Sequence, residues 1–344
     1  MPSTTQRDPT LALITRVLTY YGYSIMLIFG NIGNIFNIIL FLQKKLRKIS
    51  CNNYFLVTAL TNIIALNVGI STLIHAESEP SDITTTYCKI DGYIMNVCLQ
   101  VSRYLIVIAC FDRYAMCSTN AFIRKFSRVR IARRYVIPCV VFIWMVVPIH
   151  VPILITAQNS TCTFVDKGAF YNSIYGLLLI GILPPVLMFV FSLLIFHNLK
   201  LRQHRRQIHP VVTGQLVTPI HDMQRLKTKD QQVFAMLLVQ VFAYVASSTP
   251  YTITLLYVVL KSVVTVEETT VDAPTTTFIL FVTDMLRFVC PFTSFYLFLF
   301  VSQLYRREMV LIIRKILHYS RLLLHPPHTD NLDRAGSQHH RSST

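Results

Sequence analysis

Apolar residues are not spread evenly along this chain. They gather into seven runs, roughly Val17–Leu42, Asn53–His75, Cys88–Tyr114, Tyr135–Thr156, Tyr171–His197, Gln232–Val259 and Thr276–Val301, separated by polar and mostly basic stretches. Each run is 22 to 28 residues long, and about 20 apolar residues in a helix suffice to cross the hydrocarbon core of a bilayer. None shows the apolar–polar alternation of a barrel strand. Backbone N–H and C=O groups in lipid must be satisfied within the segment, so the pattern predicts an all-α bundle of seven transmembrane helices over residues 17–301. In Ser302–Tyr319, Met309, Leu311, Ile312, Ile313, Ile316 and Leu317 are interspersed with basic residues. That reads as an amphipathic helix lying on the cytosolic membrane face. Residues 1–16 are polar and form a short outer segment; the first run is too long for a signal peptide and is expected to act as its own anchor. Segment 320–344 is polar, rich in His and Ser, and expected to be disordered. No internal repeat suggests the halves of a transporter.

Composition and charge then narrow the function. The chain is 53% hydrophobic and only 14% charged, against roughly 25% charged in an ordinary soluble domain. A water-soluble enzyme is excluded on that ground. A nucleic-acid binder is excluded because the basic residues are fenced between apolar runs. The formal +16 is also sided. Segments 43–52, 115–134, 198–231 and 302–344 carry 24 Lys and Arg, whereas the alternate segments hold only Arg7, Arg16, Lys89, Lys167 and Lys261. The positive-inside rule therefore puts the N-terminus outside and the C-terminus in the cytosol. Asp8, Glu77, Glu79, Asp82, Asp91, Asp166, Glu267, Glu268 and Asp272 follow the opposite bias, leaving an acidic outer face.

Asp112-Arg113-Tyr114 closes the inner end of the third run. Cys88 lies 25 residues before Arg113, about 37 Å along a helix and thus across the membrane. Cys162, in the loop between runs four and five, faces the same oxidising side, so the two can form a disulfide; two unpaired thiols are the alternative. Seven spans, an outer N-terminus, this cysteine pair and Asp112-Arg113-Tyr114 resemble a rhodopsin-like (class A) G-protein-coupled receptor over about residues 17–320. Gly33-Asn34 in span one, Trp144 in span four, Pro184 or Pro185 in span five and Pro250 in span six match single landmarks of that family. The resemblance implies a plasma-membrane receptor that passes binding of an extracellular ligand to a heterotrimeric G protein, without enzymatic activity or cofactor. Arg113 would be the coupling switch. It can be held by Asp112, and also by Asp230, 20 residues before Pro250, as an inactive-state latch. Pro250 and Pro291 would be helix pivots. Basic loops suit anionic membrane lipid. Ser337, Ser342, Ser343 and Thr344 offer phosphorylation sites that would recruit arrestin.

Departures from the family pattern carry information too. Neutral Asn62 stands where many members have a sodium-binding Asp, so sodium modulation is not expected. Ser247-Ser248-Thr249 precedes Pro250 where the family has Cys-Trp-x, and Tyr244, one turn below, is expected to take over the aromatic role. Ser294-Phe295-Tyr296-Leu297-Phe298 replaces Asn-Pro-x-x-Tyr. Met95 occupies the place of the amine receptors' Asp, and span seven has no Lys for retinal, which disfavours both ligand classes. Arg103, Asp284 and Arg287 are costly charges in the upper membrane; Arg103–Asp284 or Arg287–Asp284 pairing is expected, together with a place in the ligand pocket beside Asp91 and Met95. Arg103, Cys110–Tyr114 and the Ser-Phe-Tyr of span seven resemble invertebrate FMRFamide-like peptide receptors, which implies a basic amidated neuropeptide as ligand. The short N-terminus argues against a large glycoprotein hormone. Asn159-Ser160-Thr161 is a glycosylation sequon. No metal or catalytic constellation is present. An orphan or decoy receptor that does not couple, or a small-solute transporter, are the competing readings.

Overall fold

In the computed structural model, which describes residues 9–78, 83–118, 120–158, 161–165, 167–208, 220–264 and 273–324, the seven apolar runs are helices. They are α1 (Pro9–Phe41), α2 (Ser50–Ser78), α3 (Thr85–Cys117), α4 (Val129–Leu154), α5 (Gly168–Asn198), α6 (Ile220–Val264) and α7 (Thr277–Val301). An eighth helix, α8 (Gln303–Leu324), follows after the single non-helical residue Ser302. The chain is a multi-pass membrane protein built as an all-α seven-helix bundle with this further helix. The helices outrun the apolar runs that predict them, because polar residues tolerate helix beyond the lipid. Pro9 is the first described residue of α1. Thr84 caps α3 by accepting from the Tyr87 N–H at 3.2 Å.

The bundle is inverted relative to a soluble protein. Its lipid-facing shell includes Phe242, Phe142 and Ile153, 74%, 67% and 70% exposed, while Asn34, Asn62, Arg103, Asp112 and Arg113 are buried. Helix α3 is the axis, with a buried stripe that includes Leu99, Gln100, Ser102, Arg103, Ile106, Ala109 and Arg113. Trp144 of α4 packs against it with its ring 4.3 Å from that of Tyr104.

Three local features depart from simple spans. The apolar pattern predicts span four through Thr156, but α4 ends at Leu154 and Thr156 lies in a strand. Strands β1 (Ile155–Gln158) and β2 (Thr161–Phe164) pair antiparallel, with Ala157 opposite Cys162. The hairpin lies over the end of α3, where Cys162 is disulfide-bonded to Cys88. Asn159 of the sequon lies outside the described residues. In α5, a π-helical turn, Gly176–Ile182, precedes Pro184 and Pro185. Helix α7 is interrupted at Phe288, between Ala273–Arg287 and Val289–Val301. Pro291 accounts for the break, since a proline ring clashes with the carbonyl four residues earlier.

Gly33 sets the approach of α1 to α7: a Cβ there would stand 2.9 Å from Cβ of Phe295, an atom fixed to the backbone. At Gly30 the nearest atom is Leu66 Cδ1, a side-chain terminus 2.7 Å away that a rotamer change can move. Alanine adds ~1 kcal/mol of helix propensity at either position, against an overpacking cost of about 1–3 kcal/mol where neighbours cannot yield. Gly33→Ala is therefore expected to lower the melting temperature of the detergent-purified protein, and Gly30→Ala to leave it unchanged or raised. Equal behaviour of the two would contradict a tight α1–α7 contact.

Candidate functional site

Polar groups inside the bundle form three sets along α3. The first lies near the middle of that helix. Arg103 is 6% exposed and donates to the Gln100 side-chain oxygen at 3.3 Å. Arg287, where the first part of α7 ends, donates to Asp284 at 2.5 Å and lies 4.6 Å from the ring centre of Tyr251. Of the two pairings expected for Asp284, the structure has the one within α7. Arg103 and Arg287 meet at one cavity of about 20 Å³, lined also by Ser102, Tyr244, Ser247, Ser248, Tyr251 and Pro291, large enough for one water-sized occupant. The other expected pocket residues do not line it. Met95 packs between α2 and α7, against Gly69 and Phe288. Asp91 accepts a 2.5 Å hydrogen bond from Thr72, and Asp284 stays on its own helix beside Arg287.

The second set, at the same height on α3, is a hydrogen-bonded chain across four helices. Ser102 of α3 donates to Asn62 of α2 at 2.6 Å, Asn62 donates to Asn34 of α1 at 3.4 Å, and Asn34 donates to the Pro291 carbonyl of α7 at 3.0 Å. Asn62, neutral, is thereby engaged as both acceptor and donor. Tyr244 of α6 donates its hydroxyl to the Ile180 carbonyl at 2.7 Å. That carbonyl lies four residues before Pro184, which has no N–H to offer it, so the π turn of α5 supplies an acceptor to α6. Tyr244 thus lines the Arg cavity and joins two helices at the level where an aromatic toggle was expected.

The third set is at the Arg113 end. Asp112 is fully buried and accepts from Ser50 at 2.7 Å, which ties α3 to the start of α2. Arg113 is 2% exposed, with its Nε 3.9 Å from Asp112 and one guanidinium nitrogen donating to Met116 Sδ at 3.7 Å. Tyr114 turns toward α5, stacked on Phe191. The Asp230 side chain lies outside the described residues. Arg133 of α4 donates to Asn53 at 2.7 Å and to the Arg47 carbonyl at 2.6 Å, fastening α4 to α2 and its preceding loop.

At the same end, Tyr305 of α8 reaches into the bundle. It is 2% exposed, packs against Phe41, Phe295 and Phe298, and donates to Asn37 of α1. Asn37 in turn donates to Ser294 at 3.3 Å. Burial pushes the Tyr305 phenol well above its ordinary range, so it stays a donor. The backbone N–H of Leu304 donates to Gln232 at the foot of α6, and Arg306 donates to the Leu299 and Phe300 carbonyls at the end of α7. The segment Ser294–Phe298 that lacks the family's Asn and Tyr is therefore completed by Asn37 from α1 and Tyr305 from α8. Sequence reasoning missed Asn37, Ser50, Arg133 and Tyr305 as structural partners. Asn37 carried a signal: it lies three residues after Asn34 on the same face of an apolar helix. Nothing local marked the other three, whose partners are remote in sequence.

Asn37→Leu leaves the Tyr305 hydroxyl without its acceptor and Ser294 without its donor. The expected loss is about 1–3 kcal/mol, the cost of buried polar groups left unpaired. Tyr305→Phe is expected to cost less, because Asn37 keeps Ser294. Thermal unfolding of the single and double variants in detergent measures the coupling; strictly additive losses would contradict a direct Asn37–Tyr305 bond.

With this geometry in view, the chain can be compared with known proteins. A search of curated proteins returns no match. The family model described as 7 transmembrane receptor (rhodopsin family) matches residues 33–296. That stretch begins at the Gly33 contact with α7, contains the Cys88–Cys162 bond and Asp112-Arg113-Tyr114, and ends within the altered segment of α7. Most of the chain is covered, and it belongs to the rhodopsin family of seven-transmembrane receptors, the G-protein-coupled receptors.

Proposed function

We propose that this receptor sits in the plasma membrane with Cys88 and Cys162 outside and Arg113 at the cytosolic end, and that it carries a peptide signal to a heterotrimeric G protein. The observation that supports this most directly is the placement of two features on one helix. A disulfide-anchored hairpin covers one end of α3, and the buried Asp112-Arg113 pair closes the other. Ligand binding at the first end shifts a pre-existing equilibrium between bundle arrangements. The second end opens in the favoured state and admits the G protein, with Arg113 released from Asp112 and from Asp230. Pro250 and the break before Pro291 are the points at which α6 and α7 bend. The orientation rests on the concentration of Lys and Arg in loops at the Arg113 end.

A peptide is favoured over an amine because Met95, in the amine receptors' Asp position, is packed in the core. The acidic residues of the outer loops favour a ligand with cationic groups at the entrance, and the FMRFamide-like resemblance points the same way. Arrestin binding follows phosphorylation of the serine-rich tail, and basic residues near the membrane meet anionic lipid. The alternative, a receptor that binds without coupling, draws on the altered segments Ser247-Ser248-Thr249 and Ser294–Phe298. One experiment separates the two. Nucleotide exchange on a panel of G proteins is expected in membranes carrying the receptor and is expected to vanish in Arg113→Ala, with surface expression retained. Full exchange by that variant would remove Arg113 from the mechanism; absence of exchange in the parent under any ligand would favour the non-coupling reading.

A further inference from the structure

The cavity between α3 and α7 holds more positive charge than its surroundings balance. Arg103 is 94% buried by difference from its 6% exposure, and its hydrogen-bond partner is the neutral oxygen of Gln100. Among the described residues no carboxylate lies within ion-pair distance of it. Arg287 has the single charge of Asp284, which is 31% exposed, and its own Nε is buried without a hydrogen-bond partner. No acidic residue lines the cavity; the remaining walls are hydroxyls, a thiol and apolar carbon. Two guanidinium groups thus meet in the interior of a membrane protein with a single carboxylate near them, and it pairs with Arg287 alone. A guanidinium keeps its charge when buried, and a buried charge without a counter-charge is costly.

We propose that this cavity is an anion site, and that the ligand inserts a carboxylate between Arg103 and Arg287. This rests on the reading of the chain as a ligand-activated receptor and names the chemistry its ligand must present. The planar fork of each guanidinium matches a carboxylate; the cavity of about 20 Å³ is water-sized, so a terminal acid enters only by widening it, and a bulky head group is excluded. Ser247, Ser248 and Tyr251, flanking Pro250, bring α6 to the same point, and Pro291 brings the break in α7. A carboxylate there bridges α3 and α7 beside Pro250 and Pro291. The acidic outer loops describe the entrance; the floor has the opposite sign. A ligand with an acid at its leading end and cations behind it fits both, whereas an amidated terminus brings no charge to the arginines.

The test is thermal unfolding of the detergent-purified receptor, at constant ionic strength and without G protein, so that its outcome is independent of coupling. Acetate, N-acetylglycine and hexanoate are titrated against acetamide, N-acetylglycinamide and hexanamide. At least one acid is expected to raise the melting temperature saturably, by about 3 °C at ten times its half-saturating concentration, and its amide is not. Arg103→Gln is expected to abolish that rise. Arg103→Met is expected to melt at or above the parent without additive, because an uncompensated charge has gone. A larger effect of N-acetylglycine assigns a peptide C-terminus; a larger effect of hexanoate assigns an aliphatic acid. The proposal is overturned if acids and amides act alike, or if Arg103→Gln keeps the acid response. It is also overturned if both Arg103 variants melt well below the parent, which would make Arg103 a structural brace. Loss of nucleotide exchange with the acid response intact would instead refute the coupling mechanism and leave the anion site standing.

Discussion

Hydrocarbon offers no hydrogen-bond partner, and this one constraint organises the whole molecule. It forces each crossing segment into a helix and turns polar side chains toward other polar side chains. The consequence is visible in the exchange of places between Phe242, exposed on the outside of α6, and Asn62, buried at the centre. A Phe against lipid costs nothing, and an Asn in the bundle can be both donor and acceptor to its neighbours. Apolar area does not discriminate between helix–helix and helix–lipid contact. The chain Ser102–Asn62–Asn34–Pro291 therefore does what a hydrophobic core cannot do here: it fixes which helices face each other.

Prolines act within the same constraint. Each removes an intrahelical hydrogen bond, and in lipid the freed carbonyl must find another donor. Tyr244 meets the carbonyl of Ile180, so the weak point of α5 becomes a link to α6. Tyr104 of α3 donates to the neighbouring Leu179 carbonyl at 3.0 Å. The π turn of α5 is consequently bonded to both α3 and α6. The aromatic residue expected just before Pro250 is missing, yet Tyr244 occupies the same cavity from one turn away.

Charge is distributed on two scales. Across the membrane it is sided, with the basic loops gathered at the Arg113 end. Within the bundle it is local, and the two arginine environments differ in kind. Arg113 adjoins a buried carboxylate that is itself held by Ser50, an arrangement suited to a latch. Arg103 and Arg287 converge on a cavity that no acid lines, with Asp284 paired to Arg287 alone, an arrangement suited to receiving an anion. The basic amidated ligand implied by the resemblance would match the acidic outer loops, whereas the proposed anion site calls for an acid.

By itself the sequence determined the number of spans, the sidedness of charge, and the family, through Cys88, Cys162 and Asp112-Arg113-Tyr114. These are properties of composition and spacing along one strand of chain, and bilayer thickness converts them directly into helices. The sequence also offered two partners for Asp284 and could not choose, because the choice depends on how α7 is rotated toward α3. It placed Ile155 and Thr156, the first residues of the hairpin, inside span four, since an apolar residue such as Ile155 serves a strand as well as a helix. It did not reveal that Met95 packs against Gly69, or that Tyr305 reaches the altered segment of α7 and bonds to Asn37. Those were decided only by tertiary structure. Each depends on bringing together side chains that lie up to 268 positions apart, and no local pattern records which face of one helix meets which face of another.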